Sequence, residues 1–169
     1  MKPKHKALIC PCCGKPIEGE PTDYGWQLPD EVWALGPEGR AVHLEHSDGC
    51  MWEGRGFVRG VLSVPCNNSL GSFGWGIWAE LSETDYDYCA DHCDEDMTGS
   101  PVLRGTIACE LPVYEGTFGL PIDVQFGTPD QRPTFHMPTD CDHPLAIDYR
   151  IGMSDERRFQ VLHAILPSS

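Results

Sequence analysis

The strongest hydrophobic patterns in the chain are two alternating segments near its middle. Residues 56 to 65 place Val58, Leu62 and Val64 on one face, and residues 73 to 81 place an apolar side chain at every second position. A period of two is typical of β-strands. The loop between the two segments is rich in Asn, Ser and Gly, so we predict that the strands pair as an antiparallel hairpin.

Two further segments carry the signals of helices. Ser82 is followed three residues later by Asp85, which fits a capping box and predicts a helix through about Cys93. Ser154 predicts the start of a second helix, and Pro167 its end. The predicted buried stripe of the second helix is formed by Phe159, Leu162, Ile165 and Leu166.

The rest of the chain has weaker signals. Residues 17 to 39 are rich in turn residues, and we predict irregular structure there, held by the rings of Tyr24, Trp26 and Trp33, with one helical turn near residues 30 to 35. Further strands are predicted at residues 40 to 46, 102 to 110, 122 to 127 and 133 to 137.

This order of elements predicts an α+β fold, in which a largely antiparallel sheet is covered on one face by two main helices. A chain of 169 residues can bury a core of its own, so we predict a single domain over residues 1–169. Within it, residues 1–50 form a metal-binding and irregular N-terminal part. Residues 51–169 form the sheet and the helices.

The charge of the chain limits its partners. The formal net charge is -14, which would repel nucleic acid, so we predict no nucleic-acid binding. A basic protein partner or a cationic ligand is compatible with this charge but is not implied by it. The apolar run after the basic N-terminus, residues 7–9, is too short for a signal peptide, and no later run is long enough to span a membrane. We therefore expect a cytoplasmic protein that does not bind membranes.

The segment from Cys10 to Lys15 is the strongest chemical signal in the sequence. Cys10 and Cys13 are separated by two residues and followed by Gly14, which is the spacing of a zinc knuckle. The chain has 9 cysteines, an odd number, and the cytosol keeps thiols reduced, so metal binding is favoured over a disulfide framework. We therefore predict an N-terminal turn like a zinc knuckle, with a structural zinc ion.

The other two zinc ligands are less well defined. Cys50 follows a tight turn and is the predicted third ligand, and His46, four residues earlier, is the predicted fourth. The rival fourth ligands are His43, Cys12 and His143. The alternative without a metal is that these cysteines are buried thiols.

Other residues are weaker candidates for chemistry. Cys89, His92 and Cys93 share one side of the helix that starts after Ser82, but small cysteines on an apolar helix face are typical of a core.

Near the C-terminal helix, Cys141 or Asp142 with His143 suggests a nucleophile and a base. A histidine that hydrogen-bonds the backbone before Pro144 is the stronger interpretation. Arg59 is interpreted as an ion-paired strand residue or, as the weaker alternative, an anion-binding group.

Several segments together resemble one bacterial family, DUF2199. The segments are Cys10-x-x-Cys13-Gly14, Ser47–Cys50, Phe57–Gly60, Gly74–Trp78 with Leu81–Glu83, and Asp142–Ala146. The resemblance implies a small cytoplasmic bacterial protein and supports Cys10, Cys13 and Cys50 as a set. It does not extend to His46, and it implies no particular activity.

These observations lead to a ranked set of functions. The first is a non-catalytic protein-binding module with a structural zinc ion. The alternative is a metal-dependent hydrolase, in which three protein ligands leave a zinc position open for water. A lower alternative is a thiol redox protein that uses Cys10 and Cys13, although Gly14 and Pro16 oppose the helix that such proteins need after the motif.

Overall fold

The computed structural model describes residues 8–9, 14, 16–17, 22–46, 48–67 and 71–165, and for residues 8–9, 16–17 and 41–46 it describes the backbone alone. The strands are β1 (Leu8–Ile9), β2 (Pro16–Ile17), β3 (Asp23–Gly25), β4 (Leu44–His46), β5 (Gly49–Trp52), β6 (Arg55–Pro65), β7 (Ser72–Leu81), β8 (Leu103–Ile107), β9 (Pro121–Gln125) and β10 (Thr134–His136). The helices are α1 (Asp30–Trp33), α2 (Gly36–His43), α3 (Glu83–Asp91), α4 (Pro144–Ile151) and α5 (Asp155–Ile165).

The longest ladder in the fold joins β6 to β7. The two strands are antiparallel, with a register that runs from Gly56↔Leu81 to Pro65↔Ser72, so the predicted hairpin is confirmed. Along its other edge, β7 pairs with β3 and then, nearer its C-terminal end, with β8. Along its other edge, β6 pairs with β5 and then, nearer its C-terminal end, with β10. These two strands therefore belong both to a barrel and to the strands that flank it.

The sheet closes into a five-stranded barrel in the order β6-β7-β8-β9-β10. Closure comes from a short parallel pairing of β10 with β6, in which Thr134 lies opposite Val61 and Phe135 opposite Leu62. The α+β class and the largely antiparallel sheet are confirmed. The prediction did not include closure of the sheet, which occurs because β10 returns to the free edge of β6.

Alternate side chains of the barrel strands fill its interior. Each of these residues is at most 5% exposed: Val58, Leu62, Val64, Phe73, Trp75, Ile77, Ala79, Ile107, Ile122, Val124 and Phe135. Gly60 lies on the same face of β6 and leaves the space that the ring of Phe135 occupies. The side chain of Tyr86, on α3, packs in the same way against Gly56 at one end of the barrel. Aromatic side chains thus replace the missing side chains of these two glycines.

Part of the outer face of the β6–β7 hairpin, at Phe57 and Trp78, is also buried. Trp78 is 0% exposed and its Nε1 donates a hydrogen bond to the carbonyl of Trp26, 3.1 Å away, in the segment that leads to α1. Val32 of α1 and Cys50 of β5 are also 0% exposed and belong to the same core. The hairpin therefore separates the barrel interior from a second apolar layer beneath α1.

The helix starts follow their sequence signals. The hydroxyl of Ser82 accepts a hydrogen bond from the N–H of Asp85, and the hydroxyl of Ser154 accepts one from the N–H of Arg157. α3 ends at Asp91, two residues earlier than predicted. No helix in the described part of the chain has the length and apolar character that a membrane span requires.

The buried stripe of α5 differs from the prediction. Leu162 is buried as predicted, but Val161 and Arg158 are the other buried positions, and Phe159 and Ile165 are half-buried. Leu166 lies outside the described residues.

Two helices were missed because each has a proline in its first turn. α2 covers residues 36–43, where a strand was predicted over 40–46, and only β4 at residues 44–46 remains of that strand. Pro37 and Pro144 lie in the first turns of α2 and α4, where a missing N–H removes no helical hydrogen bond. The fold therefore has more than the two predicted main helices.

The close contact at Gly60 gives a test of the barrel. A Cβ atom on Gly60 would overlap the ring of Phe135 and lie 2.7 Å from the carbonyl oxygen of Pro133. We predict that Gly60→Ala lowers the free energy of unfolding by about 1–3 kcal/mol, because neither the buried ring nor the backbone can yield freely. Urea denaturation followed by tryptophan fluorescence measures this change.

Gly74→Ala on β7 is the matched control for that experiment. A Cβ atom there would have its nearest neighbour at 3.5 Å, an ordinary contact. Its effect should stay within about 0.5 kcal/mol. Equal effects of the two substitutions would contradict the packing of Phe135 against Gly60.

Candidate functional site

The predicted zinc ligands lie at the start of the chain and on β4 and β5. Cys10 and Cys13 fall outside the described residues. On either side of them, β1 and β2 pair as antiparallel strands, with Ile9 opposite Pro16. Gly14 has φ +68°, a left-handed conformation that glycine adopts without strain.

The backbone places Cys50 and His46 one step apart on adjacent strands. Cys50 lies opposite Leu44, and His46 lies opposite Gly49, with a bulge in β4 between these pairs. The thiol of Cys50 is fully buried, whereas the side chain of His46 is not described. Among the side chains that the structure describes, no three of His, Cys, Asp and Glu are grouped as a metal site. The four-ligand site remains a prediction.

The rival fourth ligands differ in what the structure says of them. Cys12 lies outside the described residues, and for His43 only the backbone is described, at the end of α2. His143 is fully described, and its ring is engaged elsewhere.

His143 caps α4 with one nitrogen and holds a loop with the other. Its Nδ1 accepts a hydrogen bond from the N–H of Leu145 at 3.1 Å, and its Nε2 lies 2.7 Å from the carbonyl oxygen of Glu115, to which it donates. Because both nitrogens bind the backbone, neither is left to act as a base for Cys141. The interpretation of His143 as a residue that fixes the turn before Pro144 is confirmed.

Of Cys89 on α3 and Cys93 just after it, only Cys89 is a core residue. Cys89 is buried, and burial raises the pKa of its thiol to about 12, so the thiol is protonated and unreactive at neutral pH. Cys93 is exposed, contrary to the expectation that both thiols lie in the core. His92 contacts the ring of Tyr88 and the carboxylate of Glu95.

Arg59 is a half-buried cation on the outer face of β6. Burial lowers the pKa of its guanidinium, the neighbouring Arg132 lowers it further, and Asp48 opposes them. Its Nε is buried without a hydrogen-bond partner among the described residues, and its Nη2 lies beside Gly25. The predicted ion pair of Arg59 is therefore replaced, within the described residues, by longer-range interaction with Asp48.

A surface pocket of about 320 Å³ lies in front of α1. We call it the aromatic pocket, and it is lined by Tyr24, Gly25, Trp26, Gln27, Leu28, Asp30 and Trp33. The rings of Tyr24 and Trp26 meet edge to face, with centroids 5.1 Å apart, which fixes each ring against the other. Tyr24 is 40% and Trp33 44% exposed, so the pocket presents aromatic surface to solvent.

The carboxylate of Asp30 forms the polar end of the aromatic pocket. Burial raises its pKa, and hydrogen bonds from the N–H of Glu110, at 2.7 Å, and from the Trp26 indole oppose the increase. The carboxylate of Glu110 is close enough to raise the pKa further. Asp30 therefore supplies the acidic group of the pocket wall, and Glu110, which is not among the lining residues, acts on it through its charge.

Glu110 remains ionised because its own carboxylate is held by backbone donors. Burial opposes its ionisation, but the N–H groups of Phe118, Thr117 and Gly116 all donate to it and lower its pKa. The negative charge beside Asp30 is thus a fixed feature of the fold.

An ion-pair network attaches the pocket to the barrel. Arg55 of β6 donates to both carboxylate oxygens of Glu80 on β7, at 2.7 and 2.8 Å, and its Nη1 lies 2.5 Å from Glu31 of α1. The backbone N–H groups of Asp30 and Trp26 donate to the carbonyls of Ala108 and Gly76. α1 is therefore held to the β6–β7 hairpin by charge, hydrogen bonds and the buried Val32.

A second pocket, of about 340 Å³, lies between α3 and residues 126–133. Its wall combines apolar side chains such as Met97 and Phe126 with the acidic side chains of Asp48, Asp94 and Glu95. It joins residues far apart in the sequence, and no short motif indicated it.

The aromatic pocket was also missed, although its residues are close in sequence. Tyr24, Trp26 and Trp33 were interpreted as rings that hold an irregular segment, which is true of Trp26 but not of the exposed Trp33. The available signal was three aromatic side chains within ten residues of a turn-rich segment that also contains Asp30. Exposed aromatic side chains in such a segment are typical of binding surfaces.

Comparison with known proteins identifies the family. No curated protein matches the chain, and no solved structure does. A family model, DUF2199, matches residues 9–153, which run from the second residue of β1 past the end of α4 and include both pockets. The chain therefore belongs to the family DUF2199, described as an uncharacterized protein conserved in bacteria.

Proposed function

We propose that this bacterial protein is a non-catalytic protein-binding module of the cytoplasm, with a structural zinc ion in its N-terminal part. The observation that carries the binding function is the aromatic pocket. Trp33 exposes 44% of its surface on a helix whose neighbouring Val32 is completely buried. The fold thus fixes the helix firmly and leaves a large aromatic side chain in solvent.

Exposed Trp and Tyr side chains on a rigid support suit protein recognition. These residues supply large contact areas with few rotatable bonds, and they are enriched among the residues that dominate binding energy. In the aromatic pocket the support is the β6–β7 hairpin, which Arg55 links to Glu31 of α1. A partner would therefore meet a surface that needs little reordering on binding.

The zinc proposal rests on the spacing of Cys10 and Cys13 and on the backbone around them. The left-handed Gly14 and the pairing of β1 with β2 are the features that a zinc knuckle requires beside its two cysteines. The strand β2 after the motif also disfavours the redox alternative, which needs a helix there. With Cys50 as a third ligand, the ion would join the N-terminal strands to β5.

The zinc proposal predicts about one zinc ion per purified chain. Cys10→Ser and Cys13→Ser should each remove most of it, because two of four ligands come from this motif. Inductively coupled plasma mass spectrometry on the untagged protein measures the content. Cys93→Ser changes an exposed thiol on another part of the fold and should leave the content unchanged. Sub-stoichiometric zinc with Cys10 and Cys13 freely alkylated would refute the proposal.

The binding proposal is tested with two variants of equal exposure. Trp33 and Tyr88 are both 44% exposed, but only Trp33 lines the aromatic pocket. Proteins from the native bacterium that are retained by immobilised wild type should be lost with Trp33→Ala and kept with Tyr88→Ala. The identified partner is then purified, and its dissociation constant should rise at least about tenfold with Trp33→Ala only. Equal retention by all three proteins would count against binding through this pocket.

A further inference from the structure

We propose that the aromatic pocket binds a guanidinium group, presented by an arginine side chain on the surface of a partner protein. This inference rests on the proposed function and specifies the chemistry of the partner. It follows from the aromatic walls, the acidic end and the overall charge of the molecule, which point to the same kind of occupant.

The aromatic walls suit a cation. The faces of Trp and Tyr rings carry partial negative charge and attract cations most strongly where water is excluded. The molecule already shows this interaction at the pocket, because the guanidinium of Arg40 lies 3.5 Å from the centroid of the Trp33 ring. Trp33 is therefore a surface on which a guanidinium is stable.

The acidic end of the pocket suits the same occupant. Asp30 has the only charged side chain among the residues that line the pocket. A guanidinium that stacks on an aromatic ring can also donate in-plane hydrogen bonds to a carboxylate. An ammonium group lacks this planar combination, so arginine fits the arrangement better than lysine does.

Two cations of the chain lie near the pocket, although neither is among the residues that line it. The guanidinium of Arg40 lies on the ring of Trp33, and the guanidinium of Arg59 lies beside Gly25. The carboxylate of Asp30 is therefore the part of the lining that attracts an incoming cation. At longer range the net charge of -14 favours encounter with basic partners.

Asp30 is costly to the fold, as binding residues often are. Burial raises the pKa of its carboxyl, so the ionised form is less favourable in the folded protein than in the unfolded chain. At pH values above the folded pKa the charge of Asp30 lowers the stability of the fold, and this penalty shrinks as the pH falls through that pKa toward the lower pKa of the unfolded chain. A bound guanidinium would offset the penalty by giving the carboxylate a positive partner.

The test is a nuclear magnetic resonance titration of the full-length protein. The probe is N-acetyl-L-argininamide, and the matched control ligand is N-acetyl-L-citrullinamide, which replaces the guanidinium by a neutral urea group of similar shape. Argininamide should shift the indole N–H resonances of Trp26 and Trp33 saturably. Citrullinamide should bind at least about tenfold more weakly, because it lacks the charge.

Variants assign the binding to the two proposed walls. Asp30→Asn keeps an acceptor for the N–H of Glu110 and removes the charge, so it should weaken argininamide binding at least about tenfold. Trp33→Ala should weaken it as well, and Tyr88→Ala should not. Thermal unfolding at neutral pH is the check on folding, since Asp30→Asn should be no less stable than wild type.

The outcomes separate this inference from the proposed function. Equal binding of the two ligands, no argininamide binding up to its solubility limit, or unchanged binding by Asp30→Asn would overturn the guanidinium site. In each case a partner lost only by Trp33→Ala would leave the protein-binding function standing. Charge-dependent argininamide binding without any partner that depends on Trp33 would support the guanidinium site and contradict the protein-binding function.

Discussion

The β6–β7 ladder is the constraint on which the rest of the structure depends. Its register from Gly56↔Leu81 to Pro65↔Ser72 fixes which side chains point into the barrel and which point outward. A slip of one residue would exchange the two sets and bury the ion pair of Arg55 with Glu80 inside the barrel. The inner face closes around the barrel core, and the outer face supports α1. Both apolar layers are therefore set by one pairing of strands.

The aromatic pocket is formed by α1 and the segment before it, which cover the outer face of the β6–β7 hairpin. The carbonyl of Trp26 accepts from Trp78, and Arg55 joins α1 to β7, so the segment before α1 is held on the hairpin at several points. Trp33 and the carboxylate of Asp30 are then displayed by a support that does not depend on them. Because the stability of the fold comes from this support, exposed aromatic side chains and a partly desolvated acid can exist in it. The proposed binding of a partner would then need little rearrangement of the pocket.

The sequence predicted the features that local patterns encode and missed those that depend on distant contacts. Strict alternation gave β6 and β7, and the hydroxyl caps gave the starts of α3 and α5, because both signals lie within a few residues. Closure of the barrel depends on β10 returning to β6, a pairing between short segments with no periodic signature. α4 was missed because Pro144 was interpreted as part of a turn, although a first helical turn accepts proline. The aromatic pocket escaped because periodicity cannot distinguish a ring that packs inward from one that stays in solvent.

These hydrogen bonds and ion pairs imply that α1 and its pocket form one cooperative unit with the β6–β7 hairpin. Native-state hydrogen exchange tests it through two amides, those of Trp26 and Asp30, which donate to the carbonyls of Gly76 and Ala108. If the unit is cooperative, both amides exchange only through the opening that also releases the β6–β7 ladder, with the same free energy. Exchange of these two amides at a much lower free energy, while the ladder stays protected, would contradict the account.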